Sequence, residues 1–251
     1  MEILACIIGR ALRSRHFMFH LSNEVGEVEL VYPFWVIRDA ASRPILIDTG
    51  FAEQVALRRG VGAYVDPGRA LATLGISPAE IELVAVSHLH YDHFGMPERY
   101  PNAVFAVQRE DLDYFNRRGL KHPARALADE ESLARLAGLG ASGRLRALDG
   151  ATRLAPGIRL VPVGGHTPGM QIVVCEAGAS RVVLACDASH FYANLEERRP
   201  TAIIHDYEAY QRGFETIERE AGAGRWFPGH DPAILLRLEE VAPAVWRVPA
   251  A

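Results

Sequence analysis

Residues 84–96 read VAVSHLHYDHFGM. An apolar run ends, and three histidines and an aspartate follow within six positions, before a glycine. Val84–Val86 has the composition of a strand about to end. Strand side chains alternate between faces, so the spacing predicts His88 and His90 on one side. Asp92 and His93 then need a turn, which Gly95 and Pro97 permit. Imidazole nitrogen and carboxylate oxygen are the usual ligands of Zn²⁺ and similar ions. Four such groups so close together exceed what one tetrahedral site takes from one loop, and the string points to two adjacent metal ions. A lone histidine in a strand is more often a core or surface residue than a ligand. Burying several ionisable groups together is costly without a compensating positive charge. An exposed histidine-rich loop escapes that cost but does not explain the apolar strand that feeds it.

Two metals need further ligands. Three later stretches supply them, each after a strand-like run and beside a turn: VPVGGHTPG presents His166, VVLACDASH presents Asp187, and RWFPGHDP presents His230. Ligands held at strand ends are well positioned, which gives the set its weight.

Strands are expected at 29–37, 44–50, 82–89, 103–108, 157–165, 170–178 and 181–188, each rich in Val, Ile or Leu and bounded by turn residues. Helices are expected at 68–75, 109–118, 129–139 and 206–221, the last with Asp206 as N-cap, and a short one at 232–242. The segment 109–150 reads as a helical excursion that covers a surface or a pocket. Grouped strands with helices between some of them suggest two sheets with helices outside, not one doubly wound sheet. No linker divides the chain, so residues 1–251 are expected to form a single domain.

Half of the chain is apolar and its formal net charge is −4, which disfavours generic nucleic-acid binding. No apolar run reaches the ~18 residues of a membrane span, and no signal peptide is read at the N-terminus. Cys6, Cys175 and Cys186 are far apart and odd in number, which suits reduced thiols in the cytoplasm.

HLHYDH, GHTPG, CDAS and PGHD, with LIDTG upstream, resemble the metallo-β-lactamase superfamily, and most closely its N-acyl homoserine lactone lactonase branch. The match runs from about residue 45 to residue 231. The resemblance implies an α+β fold, an αββα sandwich of two mixed β-sheets face to face with helices on the outside. It also implies two divalent metal ions, zinc by expectation, although His/Asp sites also accept Mn, Fe or Co. His88, His90 and His166 fall on one metal, Asp92, His93 and His230 on the other, and Asp187 bridges both. Asp48 in IDTG is either a residue that orients ligands by hydrogen bonds or an ordinary strand-end turn aspartate, at equal weight. The implied reaction opens a lactone ring by attack of a metal-bound hydroxide, with Asp92 passing a proton to the leaving alkoxide. The implied partner is a small-molecule lactone or ester, with neither nucleic acid nor membrane.

One departure from the branch stands out. Where those lactonases carry a tyrosine that holds the substrate carbonyl, this chain has His190. A neutral imidazole can donate a similar hydrogen bond with different reach; a further metal contact and no catalytic role are the alternatives. Phe17, Met18 and Phe19 are candidates for the substrate wall against a bland reading as core packing. Tyr91, Phe191, Tyr192 and His205 carry the same ambiguity, and His20 and His122 have no motif around them. A thioesterase of the glyoxalase II type shares the histidine string but is normally accompanied by a basic C-terminal region. A non-catalytic metal-binding protein on the same fold is the alternative of a different class.

Overall fold

A computed structural model describes residues 1–39, 42–117, 122, 124–177 and 180–249. Its architecture follows from strands that are apolar on both faces. In β1 (Glu2–Ser14), Leu4, Cys6 and Ile8 enter one hydrophobic layer, and Ile3, Ala5 and Ile7 enter another. In β2 (Glu27–Asp39), Leu30, Tyr32, Phe34 and Val36 divide in the same way from Val31, Trp35 and Ile37. Such strands must be covered on both sides.

The first sheet continues through β3 (Ser42–Ile47), β4 (Leu83–Ala85), β5 (Val104–Gln108) and β6 (Leu145–Leu148). The second contains β7 (Thr152–Ala155), β8 (Ile158–Pro162), β9 (Gln171–Ala177), β10 (Ser180–Cys186) and β11 (Arg225–Pro228). β12 (Glu239–Ala242) and β13 (Val245–Arg247) then return to the first sheet beside β1. The strand orders are β12-β13-β1-β2-β3-β4-β5-β6 and β11-β10-β9-β8-β7. Both sheets are mixed: β3 to β6 pair in parallel while β1, β2 and β3 pair antiparallel, and only β10 and β11 pair in parallel in the second.

The helices are α1 (Arg15–Met18), α2 (Glu53–Arg59), α3 (Pro67–Thr73), α4 (Arg109–Phe115), α5 (Glu130–Ala134), α6 (Leu136–Ala141), α7 (Tyr192–Glu196) and α8 (Tyr207–Ala221). Val55 of α2, Leu71 of α3, Leu112 of α4, Leu133 of α5 and Leu136 of α6 cover one face of the first sheet. Its other face packs on the second sheet in a hydrophobic cluster that includes Trp35, Ile47, Ile172 and Leu184 and extends to Tyr210, Phe214 and Ile217 of α8. The result is the expected α+β sandwich, helix–sheet–sheet–helix. Among the described residues, no helix is long and apolar enough to cross a membrane.

Local chemistry explains where elements begin. Asp66 caps α3 by accepting from Gly68 N at 2.8 Å, with Pro67 pre-set at the first helical position. Asp206 caps α8 by accepting from Ala209 N at 2.9 Å, as expected. Four expectations need correction. The strand expected at 82–89 ends at Ala85, and just beyond it the Ser87 amide donates to the Asp48 carboxylate at 2.7 Å instead of to a neighbouring strand. His88 and His90 therefore sit in a loop, and strand alternation does not bring them together. The helix expected at 129–139 breaks at Arg135 into α5 and α6. The helix expected at 232–242 is a 3-10 turn over Pro232–Arg237 followed by β12, which pairs with β13. Within the excursion 109–150, the described residues form α4, a 3-10 turn over Arg125–Leu127, α5 and α6, and then β6, the edge of the first sheet. Positions 118 and 178, the last of an expected helix and an expected strand, lie outside the described residues.

Candidate metal centre

Every expected ligand sits in a loop at the end of a strand, and the two sheets aim these loops at one point. His88, His90, Asp92 and His93 follow β4; His166 lies between β8 and β9; Asp187 follows β10; His230 follows β11. All seven are buried. His88, His90, His166 and Asp187 form one group of potential ligand atoms mutually within 4.8 Å, and Asp92, His93 and His230 form a second. Asp187 Oδ2 lies 3.3 Å from His166 Nε2 and 3.7 Å from His88 Nε2. Its Oδ1 lies 3.0 Å from His230 Nε2 and 3.2 Å from His93 Nε2. One carboxylate thus presents one oxygen to each group.

The imidazoles are held from behind. His90 Nε2 meets the Ala124 carbonyl at 2.7 Å, His166 Nδ1 the Ile203 carbonyl at 3.0 Å, and His230 Nδ1 the Val31 carbonyl at 2.8 Å. His93 Nδ1 meets Asp48 Oδ2 at 2.8 Å. A carbonyl or carboxylate oxygen accepts, so each of these outer nitrogens carries a proton. The inner nitrogen of each ring is then the one left to face a ligand. His88 Nε2 and His166 Nε2 stand 2.9 and 3.0 Å from His90 Nδ1, all pointing together. Such a convergence repels itself unless a cation sits at its focus. His93 Nε2 and Asp187 Oδ1 are buried without any hydrogen-bond partner, which fits the same conclusion. The donor set suits two divalent metal ions.

Burial drives the electrostatics. It pushes His88 and His90 well below the usual histidine range, and the neighbouring histidines add to the effect. Burial acts on His93 in the same direction, yet Asp187, Asp92 and Asp48 outweigh it and hold His93 well above that range. Asp187 is held well below the usual carboxylate range because His190, His230 and His93 overcome its burial.

Supporting residues complete the site. Asp48, strained at φ +65°, accepts from Ser87 N and from Ser87 Oγ at 2.9 Å while it orients His93. Of the two readings of Asp48, ligand orientation is the one its contacts fit. Asp111 is buried in α4 and ties both histidine loops together: it accepts from Leu89 N at 3.2 Å, Thr167 Oγ1 at 3.1 Å and Gly169 N at 2.6 Å. Tyr210 of α8 donates to the Asp187 carbonyl at 2.9 Å. Gly165 carries φ +86°, and a Cβ there would stand 2.5 Å from Tyr210 Cα, so only glycine lets this loop lie on the helix. Sequence reasoning missed Ser87, Asp111 and Tyr210.

A cleft of about 430 Å³, counting its open mouth, leads to the cluster. Its floor includes His90, Asp92, Asp187, His190 and His230; Phe17, Met18, Leu30, Leu127 and Ile203 supply apolar walls, and Arg13, Tyr32 and Tyr91 a polar one. His190 reaches the cleft, with Nε2 3.1 Å from Asp187 Oδ2 and Nδ1 buried without a partner. Phe19 and Phe191 instead pack on each other at 5.6 Å, and Tyr192 packs on Trp226 at 4.7 Å. His205 stands against Tyr114 and His122.

Residues 31–230 match the model of the Metallo-beta-lactamase superfamily. An N-acyl homoserine lactonase from Bacillus sp. is 29% identical over 194 residues, covering 70% of this chain and 72% of the relative. An N-acyl homoserine lactone hydrolase, solved with the product N-hexanoyl-L-homoserine at its catalytic metal centre, superposes with a TM-score of 0.78 at 23% identity, covering 96% of this chain and 97% of the other. AidC, a dizinc quorum-quenching lactonase solved with the same product, superposes with a TM-score of 0.69 at 16% identity, covering 99% and 93%.

Proposed function

This chain belongs to the metallo-β-lactamase superfamily, and from that premise we propose that it is a dinuclear metal hydrolase that opens a lactone ring, an N-acyl homoserine lactone or another small lactone. The observation that carries the reading is the set of inward-facing nitrogens with Asp187 offering one oxygen to each group. His88, His90 and His166 would hold one ion and Asp92, His93 and His230 the other, with Asp187 offering an oxygen to each group. Zinc is the ion we assign, on a donor set of imidazoles and carboxylates and on the dizinc centre of a fold neighbour. When bound, two such ions acidify a water and polarise an ester-like carbonyl.

The chain's own residues do the rest. The rear hydrogen bonds to Ala124, Ile203, Val31 and Asp48 fix each ring before substrate arrives. Asp92 lines the cleft and carries a proton to the leaving oxygen, which a lactone needs because its alkoxide is strongly basic. His190 lines the same cleft. Its Nε2 faces the Asp187 carboxylate and takes the proton of a neutral ring, so Nδ1 is an acceptor. With Nε2 on Asp187 and Nδ1 buried, it orients the Asp187 carboxylate at the cleft floor, a different task from the carbonyl contact of a phenol. The apolar walls take an acyl or ring group. We read the chain as a single domain, and its three free, buried cysteines support a cytoplasmic setting.

The test is a panel of acyl homoserine lactones of several chain lengths, aromatic lactones, esters and thioesters on purified, metal-analysed protein. Two metal ions per chain with ring opening is the expected result. Metal-replete protein that is inert towards the whole panel overturns the proposal.

A further inference from the structure

The polar wall of the cleft carries a charge that the reaction above does not use. Arg13 lines the cleft, half-buried, and no carboxylate among the described residues pairs with it. Its neighbours in sequence differ: Arg10 pairs with Glu29 at 3.1 Å, and Arg15 with Glu24. Arg13 is nevertheless firmly held. Its Nη1 donates to the Leu12 carbonyl at 2.9 Å, and its Nη2 to the Arg59 carbonyl at 2.7 Å and to Tyr32 Oη at 3.2 Å. A guanidinium has five N–H donors, so two remain without an acceptor among the described residues. Tyr32 fixes the distance from the chemistry: its ring packs edge-on against His230, 5.2 Å between centroids, while its hydroxyl meets Arg13. The Arg59 guanidinium lies over the Tyr91 ring at 4.7 Å and adds positive potential on the same side.

A half-buried, preorganised cation with spare donors, one phenol's length from the ligand cluster, is an anion subsite. We propose that Arg13 selects lactones that carry a second, anionic group, a carboxylate, joined to the ring by a short apolar linker. The linker runs along Phe17, Met18, Leu30 and Ile203, and the carboxylate accepts from Arg13. This proposal rests on the lactonase reading for the identity of the reacting bond, and deepens it by naming the substrate class.

The test compares N-succinyl-L-homoserine lactone with N-pentanoyl-L-homoserine lactone, which have similar acyl length and differ in terminal charge. The metal-loaded enzyme should favour the succinyl compound about tenfold or more in kcat/KM, and its KM for that compound should rise with NaCl. Arg13→Gln should collapse the ratio of the two kcat/KM values towards one, and Arg13→Lys should restore part of it. Calorimetric titration with the ring-opened products, N-succinyl- and N-pentanoyl-L-homoserine, reads the same preference without turnover. If neither lactone is opened yet the products still differ in affinity by charge, the lactonase reading fails and the anion subsite stands. Equal rates and equal affinities in the wild type overturn the proposal. So does a parallel loss on both substrates in Arg13→Gln, which marks a purely structural role. Should Arg13→Gln not fold, the wild-type ratio and its salt dependence decide.

Discussion

Replacing Asp111 by asparagine should change the stability of the metal-free protein by an amount that grows more favourable as pH rises. Asp111 is completely buried, and burial outweighs its three donors to push its carboxyl up to about 7. An unfolded aspartate titrates near 4. A folded pKa raised above the unfolded one makes a contribution that is fully present below pH ~4 and is lost as pH rises to about 7. The slope over that window is about 1.4 kcal/mol per pH unit, and the total is about 4 kcal/mol, after which the curve is flat. The amide side chain of Asp111→Asn carries no charge: its oxygen accepts from Gly169 N and its NH₂ donates to Thr167 Oγ1, but Leu89 N loses its acceptor. Asp111→Asn should therefore be less stable than wild type near pH 4, by about 1–3 kcal/mol. Between pH 5 and 7 the stability of Asp111→Asn relative to wild type should rise by about 2 kcal/mol. Urea unfolding of both proteins in chelator, at pH 5, 6, 7 and 8, measures this, and histidine titrations common to both cancel in the difference. A difference that stays constant with pH, or that moves against Asp111→Asn as pH rises, refutes the reasoning.

Three further outcomes test the metal centre. His230→Ala should keep the first group of ligands and lose metal from the second, so elemental analysis should find about one ion per chain and turnover should fall by at least ~100-fold. Asp92→Asn should retain at least one metal and slow hydrolysis most for the most basic leaving groups; a uniform loss across a leaving-group series argues against its proton-donor task. A Cβ at residue 229 would stand 2.5 Å from Asp187 Oδ1 and 2.8 Å from the Cys186 carbonyl, neither of which can withdraw. Gly229→Ala should therefore lower metal content while leaving the far-UV circular dichroism of the sheets intact.

The cluster of candidate ligands was legible because such chemistry is concentrated: histidines rarely crowd into a loop after an apolar strand, and each later candidate also sits beside glycine or proline at a strand end. The residues that hold the ligands carry no such mark. Asp111 lies in REDLDYF, among acids that read as a solvated helix face, and only the fold shows that this position faces two loops. Ser87 is a lone hydroxyl. Arg13 lies in GRALRSR, where its neighbours' charges conceal both the long strand β1, bulged between Ile7 and Arg10, and the one side chain that turns into the cleft. Just beyond β4 the Ser87 amide goes to a side chain, Asp48, and not to a strand, a contact between segments 39 positions apart. The two-sheet sandwich followed from strand grouping, but pairing partners did not: β13 beside β1 joins the two ends of the chain.

The ligands also have an order along the polypeptide. The first group is complete once Asp187 has left the ribosome, whereas the second waits for His230. In between, α8 must be made, since Tyr210 anchors the Asp187 carbonyl, and β11 must slot beside β10. On the dinuclear reading proposed above, a nascent chain would complete the first set of donors well before the second. Synthesis itself would then impose an order of loading on the proposed centre.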